Sequence, residues 1–116
     1  MTKLSIFYSN EADKYFDERY YLEVHIPMSV KLQGTNLKAV QVETAWAHAP
    51  EEVQPPYVAI CHFYYETPDH FFAAFLPHRD ILEKDMEHYT NIKPLIQMSD
   101  VRLDSLQGIT IQSAQQ

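Results

Sequence analysis

Tyr57-Val58-Ala59-Ile60-Cys61-His62-Phe63-Tyr64-Tyr65, followed by Glu66-Thr67-Pro68-Asp69, is the stretch on which the fold turns. Its first nine residues are almost continuously apolar or aromatic, the pattern of a central strand buried on both faces. Tyr57, Ala59, Cys61 and Phe63 fall on one side of such a strand. Val58, Ile60, His62 and Tyr64 fall on the other. Thr67-Pro68-Asp69 then starts a helix: an N-cap hydroxyl, a proline at the first helical position and an acid in the first turn.

Downstream, Phe71, Phe72, Phe75 and Leu76 form the apolar face of that helix, and Pro77 breaks it. Ile81, Leu82, Met86 and Tyr89 resume helical spacing, and residues 94–101 read as a closing strand. Upstream of Tyr57, three prolines within residues 49–56 mark a loop. Residues 37–48 read as a strand with Val40, Val42, Thr44 and Trp46 on one face. Before it, Leu4, Ile6 and Tyr8 alternate with Ser5, Phe7 and Ser9 in a first strand. Ser9 or Asn10 offers a helix N-cap, with Glu11 and Asp13 near the positive helix end. Ala12, Phe16, Tyr20 and Val24 recur at a spacing of four, which predicts an inward stripe. Pro27 interrupts this helix, and a short turn over residues 28–33 ends at Gly34.

The order β-α-β-β-α-β predicts an α+β, ferredoxin-like domain with an antiparallel sheet. A chain of 116 residues has room for one core. That domain is expected over residues 1–103, with residues 104–116 as a polar C-terminal tail. Helices cover one sheet face. Because the central strand is apolar on both sides, the other face needs a second cover. A second copy supplies it most simply, since a two-fold contact is self-complementary, and a homodimer is expected. The competing arrangement is a monomer whose tail folds over the sheet.

Composition narrows the partners. Nine Lys and Arg against sixteen Asp and Glu give a formal net charge of −7, with no two basic residues adjacent. Nucleic-acid binding is not expected from that distribution. No window reaches the ~20 apolar residues that span a bilayer, and the N-terminus lacks the apolar run of a signal peptide. The single cysteine, Cys61, permits no intramolecular disulfide. A soluble cytoplasmic protein without membrane contact is expected. Two glycines, Gly34 and Gly108, rule out glycine-rich nucleotide loops. The histidines at 25, 48, 62, 70, 78 and 88 form no metal-binding spacing, so neither metal nor other cofactor is expected.

His25 is the leading catalytic candidate. Imidazole titrates near neutral pH, and His25 sits where Pro27 breaks the helix. A histidine that pins the kink by a backbone hydrogen bond is the competing reading. Phe16 and Tyr20, on one helix face, are candidates to wall an aromatic ligand site or simply to fill the core. His78, after Pro77, is a further ligand-site candidate or a solvated loop histidine. Cys61 and His62 point to opposite sheet faces and cannot pair, so Cys61 reads as a small core residue.

Phe16-Asp17-Glu18-Arg19-Tyr20-Tyr21-Leu22-Glu23-Val24-His25-Ile26-Pro27 carries a resemblance as well: Phe-Asp, a tyrosine pair, then His-x-Pro. Together with Tyr64-Tyr65-Glu66 and Lys84-Asp85-Met86, it resembles the EthD-like family of the dimeric α+β barrel superfamily. The resemblance covers roughly residues 3–102. One departure is Met28 after Pro27, where the family often has Leu. The family takes its name from an operon for fuel-ether degradation. Superfamily relatives include cofactor-free quinone-forming monooxygenases, polyketide cyclases, muconolactone isomerases and haem-degrading enzymes. Their small-molecule pocket usually lies between helices and sheet.

The resemblance implies a cofactor-free oxygenase, cyclase or isomerase of a small aromatic or polyketide-like compound, with His25 as acid or base. The alternative is a non-catalytic ligand-binding or accessory dimer, and a third, weaker reading is a purely structural dimer. Fold alone does not choose among them.

Overall fold

Alternation in the first strand produces the observed β1, Thr2–Ser9, whose Leu4 and Tyr8 are buried. The computed structural model describes residues 1–104; the expected tail lies, apart from Asp104, outside the described residues. β2 is Ala39–Thr44, β3 is Tyr57–Tyr65 and β4 is Leu95–Asp100. They form one antiparallel sheet in the order β2-β3-β1-β4. Four helices cover one face: α1 (Glu18–Tyr20), α2 (Ile26–Gln33), α3 (Pro68–Phe75) and α4 (Arg79–Asp85). This is the expected α+β, ferredoxin-like arrangement.

The two sides of β3 differ. Ala59, Cys61, Phe63 and Tyr65 are buried against the helices. Val58, Ile60, His62 and Tyr64 are half-buried on the bare face. β3 and α3 follow the sequence reading closely. The Thr67 side chain caps α3 by accepting from the His70 backbone N–H at 3.3 Å, with Pro68 in the first turn.

The first helical region departs from that reading. No helix begins at Ser9 or Asn10. Asn10 instead ties to the proline loop, its side chain donating to the Pro55 carbonyl at 2.9 Å. Phe16 forms a β-bridge with Thr90, and the Asp17 N–H donates to the Tyr89 carbonyl at 2.7 Å. Asp17 is the cap, accepting from the Tyr20 N–H at 3.0 Å. These long-range bonds hold residues 16–17 extended and outweigh the local capping signal.

Between α1 and α2 the chain makes a wide π-turn, Tyr21–His25, closed by the Ile26 N–H on the Tyr21 carbonyl. The extra residue shifts the helical phase. Tyr21, His25, Ile26, Ser29 and Gln33 face inward, and Val24, expected inside, is 44% exposed. Pro27 does not stop the helix. It follows the π-turn, in a helical run that continues through it, and the wider turn before it accommodates the proline ring and its missing N–H. Gly34 ends α2 at φ 69°, a conformation glycine adopts without strain.

Candidate functional site

A cavity of about 630 Å³ lies between the helices and the sheet. Its sheet wall includes Leu4, Ile6, Tyr8 and Phe63; its helix wall includes Phe71, Phe75, Leu82 and Met86. The apolar residues follow from the inward sides of β1, β3, α3 and α4. Pro77 turns the chain between α3 and α4, so that Phe75 and Leu82 both reach the same space.

Four of the polar side chains on the wall are His25, Ser29, Tyr8 and Tyr89. The π-turn aims His25 inward and leaves it 7% exposed. His25 Nδ1 lies 2.9 Å from Asp85 Oδ2 on α4. A carboxylate only accepts, so Nδ1 carries the proton and donates. Nε2 is then an acceptor, and the Tyr89 hydroxyl stands 3.5 Å away. Tyr89 shares a 2.8 Å hydrogen bond with the Tyr8 hydroxyl. The other Asp85 oxygen accepts from the Tyr20 hydroxyl at 2.9 Å. One chain of contacts thus runs from Tyr8 through Tyr89, His25 and Asp85 to Tyr20.

Burial sets the protonation states. Desolvation lowers the His25 pKa below its ordinary value, although the hydrogen bond and charge of Asp85 oppose this, so the ring is neutral near pH 7. Desolvation pushes the Tyr8 hydroxyl up to about 12. It raises Tyr89 as well, helped by the neighbouring Tyr8. Both hydroxyls therefore keep their protons. Asp85 also borders a smaller outer hollow of about 230 Å³ with Lys84 and His88.

Of the residues singled out from the sequence, His25 lines the cavity. Phe16 packs behind it, its ring 4.9 Å from both Tyr8 and Tyr21 and 5.6 Å from Tyr89. Tyr20 reaches Asp85 from the outer side. Neither Phe16 nor Tyr20 is on the cavity wall. His78 is half-buried in the turn between α3 and α4, off the wall, while its neighbours Leu76 and Arg79 are on it. The structure therefore joins His25 and Tyr20 through Asp85 and leaves His78 apart. Asp85, Tyr8 and Tyr89 were not singled out. Asp85 lies sixty residues from His25, and no local spacing signals that pairing. Among the described residues, no cluster of His, Cys, Asp or Glu is arranged to hold a metal ion.

No helix among the described residues is long and apolar enough to cross a membrane. No curated protein matches the chain significantly in sequence. Solved structures do. An EthD-like protein from Ralstonia eutropha JMP134 superposes with a TM-score of 0.82 at 28% identity, covering 90% of this chain and 95% of that one. An ethyl tert-butyl ether D (EthD) family protein from Bacillus halodurans C-125 gives 0.65 at 16% identity, covering 88% and 99%. SnoaB, a cofactor-independent oxygenase from Streptomyces nogalater, gives 0.54 at 12% identity, covering 92% and 96%. The EthD domain profile matches residues 10–93. With most of its length matched in sequence and the superposition agreeing, the chain belongs to the EthD family, within the dimeric α+β barrel superfamily.

Proposed function

We propose that the chain binds a small aromatic or polyketide-like compound in the cavity and acts on it without a cofactor, with His25 as general base. One observation carries this reading: on the wall of one apolar cavity, an imidazole oriented by Asp85 stands beside the Tyr89 hydroxyl, which in turn bonds the Tyr8 hydroxyl.

The chemistry follows from the geometry. A ligand C–H or O–H made acidic by a neighbouring carbonyl or ring gives its proton to His25 Nε2. Asp85 then faces an imidazolium and stabilises it. The Tyr89 contact, at 3.5 Å, is long enough to give way to a ligand donor. The tyrosine hydroxyls, still protonated, donate to the oxygen on which charge develops. Removal of such a proton is a first step shared by cofactor-free oxygenation, ring closure and double-bond isomerisation. The description of SnoaB as a cofactor-independent oxygenase is compatible with this class.

In this reading Phe16 backs the tyrosines and Tyr20 holds Asp85. His78 remains a candidate ligand contact where Leu76 and Arg79 border the cavity. The working unit is a homodimer formed through the bare sheet face. A non-catalytic binding or accessory dimer is the second reading. It draws on the fact that both His25 ring nitrogens already have protein partners.

The test uses anthrone, a planar aromatic ketone with an acidic C–H, as probe. Its exchange with deuterium oxide, followed by proton NMR, should be accelerated by the wild-type protein. His25→Ala should lose roughly 10²–10⁴-fold of that acceleration with the fold standing. If His25 is only a structural pin, the variant should instead melt markedly lower and leave probe binding unchanged. That outcome would remove His25 from the site.

A further inference from the structure

Resting on the reading of the cavity as a ligand site, we infer that its ligand carries an oxygen already ionised at neutral pH, and that Lys93 receives it. The cavity wall bears three ionic side chains, Arg79, Glu83 and Lys93. Two of them compensate each other: Arg79 Nε donates to Glu83 Oε2 at 3.1 Å, one helical turn along α4. Among the described residues, Lys93 makes no ion pair with a carboxylate. His25, deeper in the wall, is neutral near pH 7. The ionic wall therefore carries one net positive charge, and that charge is on Lys93.

Position makes the charge useful. Lys93 is exposed yet belongs to the wall, which puts it at the mouth, whereas His25 is buried. It stands between the buried Ile92 and the half-buried Pro94, two residues before β4. A flexible ammonium at the rim of an apolar hollow pairs with a carboxylate or another ionised oxygen, and the apolar body of the ligand fills the space below. The chain carries a net charge of −7, so its long-range field repels anions. Recognition of an acid here has to come from a local cation, and Lys93 is that cation. The ligand class is thus an aromatic or polyketide-like acid, its ionised end at Lys93 and its reacting position towards His25.

The experiment compares two probes of one shape, 1-naphthoate and neutral 1-naphthamide, by titration calorimetry against the full chain. The wild-type protein should bind naphthoate at least about tenfold more tightly than the amide. Lys93→Met keeps the apolar stem and removes the charge. It should bring naphthoate down to the affinity of the amide and leave the amide unchanged. Lys31→Met, an exposed control elsewhere, should change neither. Equal affinities in the wild type, or unchanged naphthoate binding in Lys93→Met, would overturn the assignment of Lys93 and leave the cavity as a site for neutral ligands. Failure of both probes to bind the wild type would overturn this inference together with the ligand-site reading beneath it.

Discussion

Each side of the sheet carries a histidine beside a carboxylate, and the two pairs differ in everything around them. On the helix side His25 meets Asp85 at 2.9 Å, with side chains 9% and 15% exposed. On the bare side His62 Nε2 lies 3.5 Å from Glu43, whose side chain is 57% exposed, and His62 Nδ1 contacts the Ser5 hydroxyl at 2.8 Å. Both imidazoles are lowered in pKa, first by desolvation; Lys3 adds to the effect at His62. A histidine–carboxylate contact therefore does not mark a site. The helix-side pair differs because it opens into an apolar cavity beside protonated tyrosines, where a proton acceptor can meet a ligand instead of water.

The strongest test of this contrast is to remove each histidine. His25→Ala should cost roughly 10²–10⁴-fold in probe exchange, while His62→Ala should leave exchange near wild type. Equal losses would erase the distinction between the two sides.

The bare face should behave as an interface. Ile60→Arg places a charge among half-buried apolar side chains, and sedimentation should show the mass falling from dimer to monomer with secondary structure retained. A wild-type monomer at micromolar concentration would refute the assembly outright.

Acid should destabilise the fold through both histidines. Their folded-state pKa values lie below the unfolded value of about 6.5, so the unfolded chain binds more protons. The stabilising contribution is complete above that value and is lost as pH falls through the lower, folded-state pKa values. The melting temperature should decline from about pH 6.5 downwards, and a His25→Gln, His62→Gln double variant should show a weaker decline over that window.

The smallest effect sharpens the comparison further. Asp85→Asn should lower the His25 pKa again by removing its charged partner. Glu43→Gln should move His62 less, because solvent already screens that carboxylate. Proton NMR titration of the ring signals reads both, and a larger shift at His62 would reverse the ranking.

Local chemistry was enough to read β3, the Thr67 cap with Pro68, and the order of strands and helices. Each rests on alternation or on a cap within a few residues, interactions that neighbours along the chain decide. The misplaced helix start shows where such reading ends. Asn10 is a good cap by type, but its bonds to the proline loop, and those of residues 16–17 to Tyr89 and Thr90, are long-range. The inward face of the first helix was misjudged for a related reason. An ideal wheel sets His25 nearly opposite Phe16 and Tyr20, whereas a single wide turn turns Tyr21 and His25 inside. By itself the sequence determined the α+β order, the family signature and the candidacy of His25. Only the tertiary structure decided that His25 would face a cavity, that Asp85 would orient it and that Tyr8 and Tyr89 would stand beside it. Those partners come from β1, α4 and the segment before β4, and their meeting depends on how the packed elements cross, which no spacing along the chain encodes.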